Sequence, residues 1–306
     1  MSAPEVLYDT GPPADAPQAG LRARVKGALT DLVMPALKRG ARGYVGGESV
    51  SDAIAVAARL ASDGTPTTLG YWPASSHESA EVAGIYLAAL REVAAAGLDS
   101  YVSIKPPALR FEDGAAAALA KAAAKHDLRL HCDSHGCDVA DLSHGFAETL
   151  LQTLPPARVG VTLPGRWVRS VADADWACAR GVMVRVVKGQ WPDPDAPARD
   201  LTEGYLEVVG RLAGRARHVA VATHDTALAQ KAVALLRAAN TPCELEMILG
   251  MPVAPLLRWA KANGVAARIY VPFGPGYIPN ALGILRRNPQ LAWRVACGMF
   301  SGAAAR

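Results

Sequence analysis

The segment Val182-Met-Val-Arg-Val-Val-Lys-Gly-Gln-Trp191 joins an apolar, strand-like run to two cations and an aromatic ring, at Arg185, Lys188 and Trp191. A cation inside a buried strand needs a partner, because an unpaired buried charge is costly or becomes neutral. Two cations three apart, followed by Gly189 and Trp191, fit the rim of a site for a planar, anionic ligand. A strand-edge ion pair followed by a turn glycine is the simpler alternative. Other ionisable and polar groups end other apolar runs: Lys105, then His131, Asp133 and His135, then Thr223 and His224, then Glu246 and Tyr270. Such groups can orient an amine or carboxylate and move protons. His131, Asp133 and His135 would share one side of an extended strand, which suits a metal, although their spacing matches no closed zinc motif. Each residue alone has a plainer reading: Lys105 as a loop anchor, Asp133 as a turn cap or ion-pair partner, His224 as a backbone-bonded histidine.

These groups need elements to bring them together. From about residue 66 onward, short apolar runs alternate with helix-period segments. The strand-like runs are Thr67-Trp72, Tyr101-Lys105, Leu128-Asp133, Arg158-Leu163, Val182-Lys188, His218-His224, Cys243-Leu249 and Ala267-Val271. Between them, Glu78-Ala96, Gly114-His126, Leu142-Leu154, Leu201-Ala213, Ala227-Ala239 and Ala254-Asn263 are rich in helix-favouring residues. Gly97, Gly181, Asn240 and Gly264 stand where helices should stop. Eight β-then-α units with short connections predict a closed (β/α)8 TIM-like barrel, since closure leaves no strand edge exposed. An open doubly wound sheet is the runner-up, weakened by the lack of a glycine-rich turn after the first strand. In a barrel, these groups gather at the C-terminal ends of the strands, where such folds do their chemistry. The expected organisation is a flexible tail over residues 1–20, a helical arm over 21–65 packed on the barrel, and a barrel catalytic domain over 66–306. Leu32, Met34, Leu37, Ile54, Ala57 and Leu60 would supply the apolar faces of the arm.

Bulk properties narrow the function. The chain has 306 residues, 51% hydrophobic and 20% charged, as expected of a globular protein with a large core. A net charge of +4, without basic runs, gives no support for nucleic-acid binding. No apolar run is long enough for a membrane span, and the Pro-rich start lacks the blocks of a secretory signal, so a cytoplasmic location is expected. The five cysteines are expected to be reduced and mostly buried, with Cys132 in the core. An oligomer is compatible with the sequence, and no motif specifies an electron acceptor.

Most of residues 42 to 289 resemble the proline dehydrogenase family, FAD-dependent enzymes built on a distorted (β/α)8 barrel. The most specific piece is Val184-Arg-Val-Val-Lys-Gly189, similar to the family's fifth strand. Gly46-Gly-Glu-Ser-Val-Ser-Asp-Ala53, Ser103-Ile-Lys105, Asp133, Ala222-Thr-His224, Glu246-Met-Ile-Leu-Gly-Met251 and Arg268-Ile-Tyr-Val-Pro-Phe-Gly274 follow in the family's order. The resemblance implies that Arg185, Lys188, Gly189, Thr223 and His224 contact FAD. It places Lys105, Asp133, Trp191 and Tyr270 around the isoalloxazine and the substrate pocket. Four departures stand out. The family's strand-four glutamine is Pro164, its Leu-Gly-Glu is Leu69-Gly70-Tyr71, and the Ala-Tyr after the strand-five glycine is Gln190-Trp191. In the last helix the family's Arg-Arg-x-x-Glu element, which clamps the substrate carboxylate, falls on Gly283, Ile284 and Arg287 when Pro279 and Pro289 are anchored. Arg286 and Arg287 lie one turn later. They are either a shifted clamp or two solvated arginines near a helix C-terminus.

Retained flavin-side groups with altered substrate-side groups predict an oxidation of the C–N bond of proline or a related cyclic amino acid to an imine, by hydride transfer to FAD. The alternative is a flavin-free barrel enzyme that uses Lys105, Asp133 and the histidines, with or without a metal, on a small amino-acid-like substrate.

Overall fold

The computed structural model describes residues 46–277 apart from residue 252. The expected tail, the arm residues Leu32, Met34 and Leu37, the arginine pair Arg286 and Arg287, the last helix and Cys297 lie outside the described residues.

Eight strands close a parallel barrel in sequence order: β1 (Thr67–Tyr71), β2 (Ser100–Ile104), β3 (Leu130–Cys132), β4 (Val159–Pro164), β5 (Met183–Val187), β6 (Val219–Ala222), β7 (Cys243–Ile248) and β8 (Ala266–Phe273). The ring closes where Thr67 of β1 registers with Ile269 of β8. The doubly wound alternative is therefore excluded. Every strand expected from the sequence is present, with ends shifted by at most two residues.

Helix α1 (Val50–Ser62) precedes the barrel. Its start is fixed by a reciprocal cap: the Ser49 hydroxyl accepts from the Asp52 N–H, and the Asp52 carboxylate accepts from the Ser49 N–H at 3.0 Å. Buried Ala53 and Ala57 let α1 lie close on β8 and β1. Between the strands follow α2 (Ser79–Ala95), α3 (Asp113–Lys125), α4 (Ala140–Leu151), α5 (Ser170–Arg180), α6 (Leu201–Leu212), α7 (Thr226–Ala238) and α8 (Ala254–Ala262). Gly97, Gly181, Asn240 and Gly264 all have the left-handed backbone expected of helix stops. Helix α5 is absent from the sequence-predicted helices, although its stop at Gly181 is among them. Its inner face is only Ser170, Asp173, Ala174 and Ala177, too small and too polar to show an apolar period.

The strands are two-sided. Leu69, Val102, Ile104, Leu130, Cys132, Val161, Leu163, Val184, Val186, Val219, Val221, Leu245, Ile269 and Val271 are buried in the apolar core of the protein. Alternate positions turn the other way, into the barrel. Tyr101, Ser103, Lys105, His131, Asp133, Thr162, Arg185, Glu244, Glu246, Arg268 and Tyr270 occupy them, and bonds join β2 to β7 and β5 to β2 across the axis. The barrel interior is polar and ionic rather than filled by branched apolar layers. Glycines make room for its rings: a Cβ on Gly70 would fall 1.9 Å from the Tyr270 hydroxyl, and one on Gly160 would fall 2.1 Å from His131 Nδ1.

Cys132 is buried as expected. Cys137, Cys178 and Cys243 are free but only half-buried, which corrects the expectation of mostly buried thiols.

Candidate active site

At the C-terminal half of the barrel one carboxylate collects four donors. Asp133, just beyond β3, accepts from Ser103 Oγ at 2.6 Å, Arg185 Nη1 at 2.8 Å, Lys105 Nζ at 3.1 Å and the Tyr270 hydroxyl at 3.1 Å. Burial alone would raise its pKa, but Lys105, Arg185 and Ser103 outweigh that and hold it below the usual carboxylate range. Asp133 is an anion at any physiological pH.

Arg185 is the second hub. Its Nε and Nη2 donate to the two oxygens of Glu246 at 2.9 and 2.8 Å, the bidentate geometry in which a guanidinium and a carboxylate match. Nη1 turns to Asp133. Burial works against both charges, yet Glu246, Tyr101 and Asp133 keep Arg185 firmly protonated, and Arg185 lowers the pKa of Glu246. The Tyr101 hydroxyl donates to Glu246 at 2.9 Å. The cation inside β5 thus has its partners within the protein. Its role in a ligand site is to fix Asp133, because all three of its nitrogens are engaged.

Lys105 ends β2. Its backbone N–H donates to the Tyr86 hydroxyl at 3.0 Å, and its ammonium lies 4.4 Å over the Trp72 ring. Burial lowers its pKa, and Asp133 opposes that. Asp133 takes one of its three ammonium hydrogens, and no other described residue accepts a hydrogen bond from the group. The phenol of Tyr270 is pushed up by burial and by Asp133, so it stays a donor.

The β5–β6 side forms a separate cluster. Lys188 Nζ donates to Asp225 at 3.1 Å, with the two side chains 37% and 41% exposed. The Asp225 N–H donates to the Thr223 hydroxyl at 3.1 Å, which leaves the hydroxyl proton free to donate outward. The Ile248 N–H donates to His224 Nε2 at 3.0 Å, so the ring proton sits on Nδ1. Gly189 has φ +97 and packs so close to Pro164 that a Cβ would lie 2.8 Å from the proline's own. The glycine is thus required by the segment that follows β5, where it passes close to Pro164 at the end of β4. Trp191 packs on the His135 ring at 5.4 Å, and its carbonyl accepts from Trp167 Nε1. Burial and Lys105 bring the pKa of His135 down to about 4.

The structure therefore unites Lys105, Asp133, Arg185 and Tyr270, and places Lys188, Thr223 and His224 in a neighbouring group. His131 turns inward to the Thr162 hydroxyl at 3.0 Å and is kept neutral by burial and Arg185. Among the described residues no three His, Cys, Asp or Glu side chains are grouped to hold a metal, so the His131–Asp133–His135 alternation does not become a ligand set. Sequence reasoning missed Tyr101, Ser103 and Thr162. Their signal was present in the alternation of polar residues with apolar ones along β2 and β4.

The chemistry of the donor set suits a flavin nucleotide. The half-exposed ammonium of Lys188 and the hydroxyl of Thr223, on adjacent strand ends beside His224, are donors of the kind a pyrophosphate and an isoalloxazine accept from.

A closed eight-stranded parallel barrel with an ion-paired interior and its titratable groups at the C-terminal strand ends defines a protein of the (β/α)8 enzyme class. No family model matches the chain. It is 24% identical over 278 residues to a proline dehydrogenase of Deinococcus radiodurans, covering 85% of this chain and 89% of that protein. It is 26% identical over 280 residues to proline dehydrogenase 1 of Bacillus subtilis subsp. natto, covering 85% and 91%. Among solved structures, proline utilization A (PutA) from Bdellovibrio bacteriovorus superposes with a TM-score of 0.70 at 17% identity, covering 86% of this chain and 34% of that one. PutA from Bradyrhizobium japonicum gives a TM-score of 0.62 at 20% identity, covering 87% and 32%. The chain thus spans about a third of the PutA chains. Along most of its length it is similar in sequence to these two proline dehydrogenases, and it shares the barrel fold of the PutA structures.

Proposed function

We propose that this chain is a flavoenzyme that oxidises the C–N bond of proline, or of a related cyclic amino acid, to an imine. The observation that carries this reading is the four-donor grip on Asp133 at the C-terminal mouth, in a chain related along most of its length to two proline dehydrogenases. FAD, when bound, would accept the hydride. Lys188, Thr223 and His224 are the residues that would hold it, with Trp191 beside them.

The remaining work falls to the protein. As hydride leaves carbon, the nitrogen lone pair forms the new C=N bond, so the amine must arrive unprotonated and the product departs as a protonated imine. Asp133 and Glu246 are already answered by Lys105 and Arg185, so no carboxylate of this cluster is left to stabilise a protonated amine, which favours the neutral form. The two remaining hydrogens of Lys105 suit the substrate carboxylate. Asp133, fixed by four donors, keeps Lys105 and Tyr270 in place without reorganisation during the reaction. Trp72 and Tyr277, 5.8 Å apart edge to face, wall the same mouth. Arg286 and Arg287 are proposed as the shifted carboxylate clamp.

No helix among the described residues is long and apolar enough to cross a membrane. A small-molecule substrate and a cytoplasmic location complete the reading.

The test is spectroscopic. Purified protein should carry flavin absorbance, bleach when proline or a cyclic analogue is added without oxygen, and release an imine that an aromatic amino-aldehyde traps. Colourless protein that cannot be reconstituted with FAD would overturn the proposal. So would yellow protein that no cyclic amino acid bleaches.

A further inference from the structure

The opposite end of the barrel holds a cavity of about 390 Å³ that this function does not use. Tyr101, Arg129, His218, Glu244 and Arg268 line it, all at the N-terminal ends of their strands. That face of a (β/α)8 barrel ordinarily serves stability and is packed shut. Here the space is within the range of small-ligand pockets and large enough for several waters.

Its charges are unevenly matched. Arg268 is fully engaged: Nε donates to both oxygens of Glu244 at 3.1 and 3.2 Å, Nη1 to the Thr67 carbonyl at 2.9 Å, and Nη2 to Asp99 at 3.2 Å. Arg129 is different. Its guanidinium carbon lies 3.6 Å over the Tyr101 ring, and its nearest carboxylate oxygen, on Glu244, is 3.8 Å away. No hydrogen bond from its guanidinium to a described residue is present. Stacking fixes the plane of the fork and leaves its N–H edge facing the cavity. His218 Nδ1 is likewise buried without a hydrogen-bond partner. In the buried part of the lining, Arg129 (11% exposed) and Arg268 (8%) stand against the single carboxylate of Glu244 (7%). Asp99 is largely in solvent. Arg129 is paired with Glu244 only at 3.8 Å and makes no hydrogen bond to it, so its donors are left for water or for an anion that enters the cavity.

We propose that the N-terminal mouth is a second binding site, for a small oxyanion whose carboxylate or phosphate group is held by the fork of Arg129 and by His218. Neutral ligands cannot answer the surplus donors, and cations would meet Arg129 and Arg268. The site is separate from the catalytic mouth and does not depend on the redox reading.

The test uses the full-length protein and an arginine-selective dicarbonyl reagent, with modified peptides mapped by mass spectrometry. Inorganic phosphate or acetate should slow modification of Arg129 by about tenfold relative to chloride of equal ionic strength, while the exposed Arg110 is unaffected. Protection by phosphate alone assigns a phosphate group, and protection by acetate assigns a carboxylate. Protection by neither overturns the proposal. In calorimetric titration, Arg129→Gln should weaken binding by about tenfold, roughly 1.4 kcal/mol. Unchanged affinity in a folded Arg129→Gln protein would also overturn it. If that variant does not fold, the protection measurement on the unaltered chain decides.

Discussion

The two ends of the barrel interior are built from the same device and differ in how they are balanced. At both, alternate residues of neighbouring strands turn arginines and glutamates inward: Arg185 with Glu246 toward the C-terminal mouth, and Arg268 with Glu244 at the base. Toward the C-terminal mouth the charged groups are matched, although Trp72 Nε1, His131 Nδ1 and His135 Nδ1 are buried without a hydrogen-bond partner. Asp133 holds four donors, and the small cavity beside it and His135, about 20 Å³, has room for little more than one water. The base keeps 390 Å³ of space and an arginine whose donors are unengaged. The C-terminal end is thus a preassembled electrostatic frame, in which each charge answers another. The base combines a structural ion pair with surplus positive charge.

That contrast can be broken by removing one partner at each end. Glu246→Leu should have the largest effect. Arg185 would lose two of its charge-assisted bonds in a fully buried setting, and removing one partner of a buried pair costs about 3–5 kcal/mol. Urea unfolding measures this, and a loss below about 1 kcal/mol would mean that the Arg185–Glu246 pair is not formed. Arg268→Met at the base should cost less, about 2–3 kcal/mol, because Glu244 can turn to Arg129 nearby. Turnover of the amine substrate should stay within about twofold of the parent. Equal stability losses at the two ends, or lost turnover in Arg268→Met, would erase the distinction.

The architecture was legible for a physical reason. Helix stops at Gly97, Gly181, Asn240 and Gly264 require a left-handed backbone, and all four have it. Strand positions followed from apolar runs that form the outer faces against the helices. The same averaging hid the interior. Reading Tyr101-Val-Ser-Ile-Lys105 as one apolar run overlooks that Tyr101, Ser103 and Lys105 share a face. Pairings such as Arg185 with Glu246, 61 positions apart, arise only when the barrel closes. Lys105, Asp133, Arg185 and Tyr270 could be named from residue type and strand end. Pairing of Asp133 with Lys105 or Arg185 was one plain reading beside a turn cap, and the structure makes both pairs at once and adds Ser103 and Tyr270.

The frame also predicts its own acid sensitivity. Asp133 has a folded pKa below its unfolded value of about 3.9, so its contribution is complete above that pH and is lost as pH falls through the depressed folded value. The stability difference between the parent and Asp133→Asn should therefore be full at neutral pH and shrink below about pH 4. A constant difference would mean that Asp133 is not held as an anion. His135 adds a gentler slope at higher pH. Its folded pKa of about 4 lies below the ordinary 6.5, so the neutral ring stabilises the fold above pH 6.5, and that contribution fades as pH falls toward 4. In His135→Phe the stability–pH curve between those values should flatten by about one proton's worth of slope. An unaltered slope would contradict burial of the neutral ring.

The smallest effect on stability is expected three residues beyond Arg185. Lys188 belongs to the same segment, yet its ammonium and the Asp225 carboxylate are both more than one-third exposed, where water screens the pair and holds its worth to about 0–1 kcal/mol. Asp225 also caps α7 through the Leu228 N–H, so it keeps a partner when the lysine is gone. Lys188→Met should accordingly leave urea stability of the flavin-free protein within about 1 kcal/mol of the parent. If the ammonium faces a cofactor pyrophosphate, the same change removes a charge-assisted contact and weakens FAD retention by about tenfold, measured by fluorescence during flavin titration. A large stability loss would place Lys188 with Arg185 in the structural frame. Unchanged retention would move the cofactor's phosphates elsewhere on the mouth. Arg185 within β5 and Lys188 just beyond it would then differ in burial but share no ligand, and the flavin reading would rest on Thr223 and His224 alone.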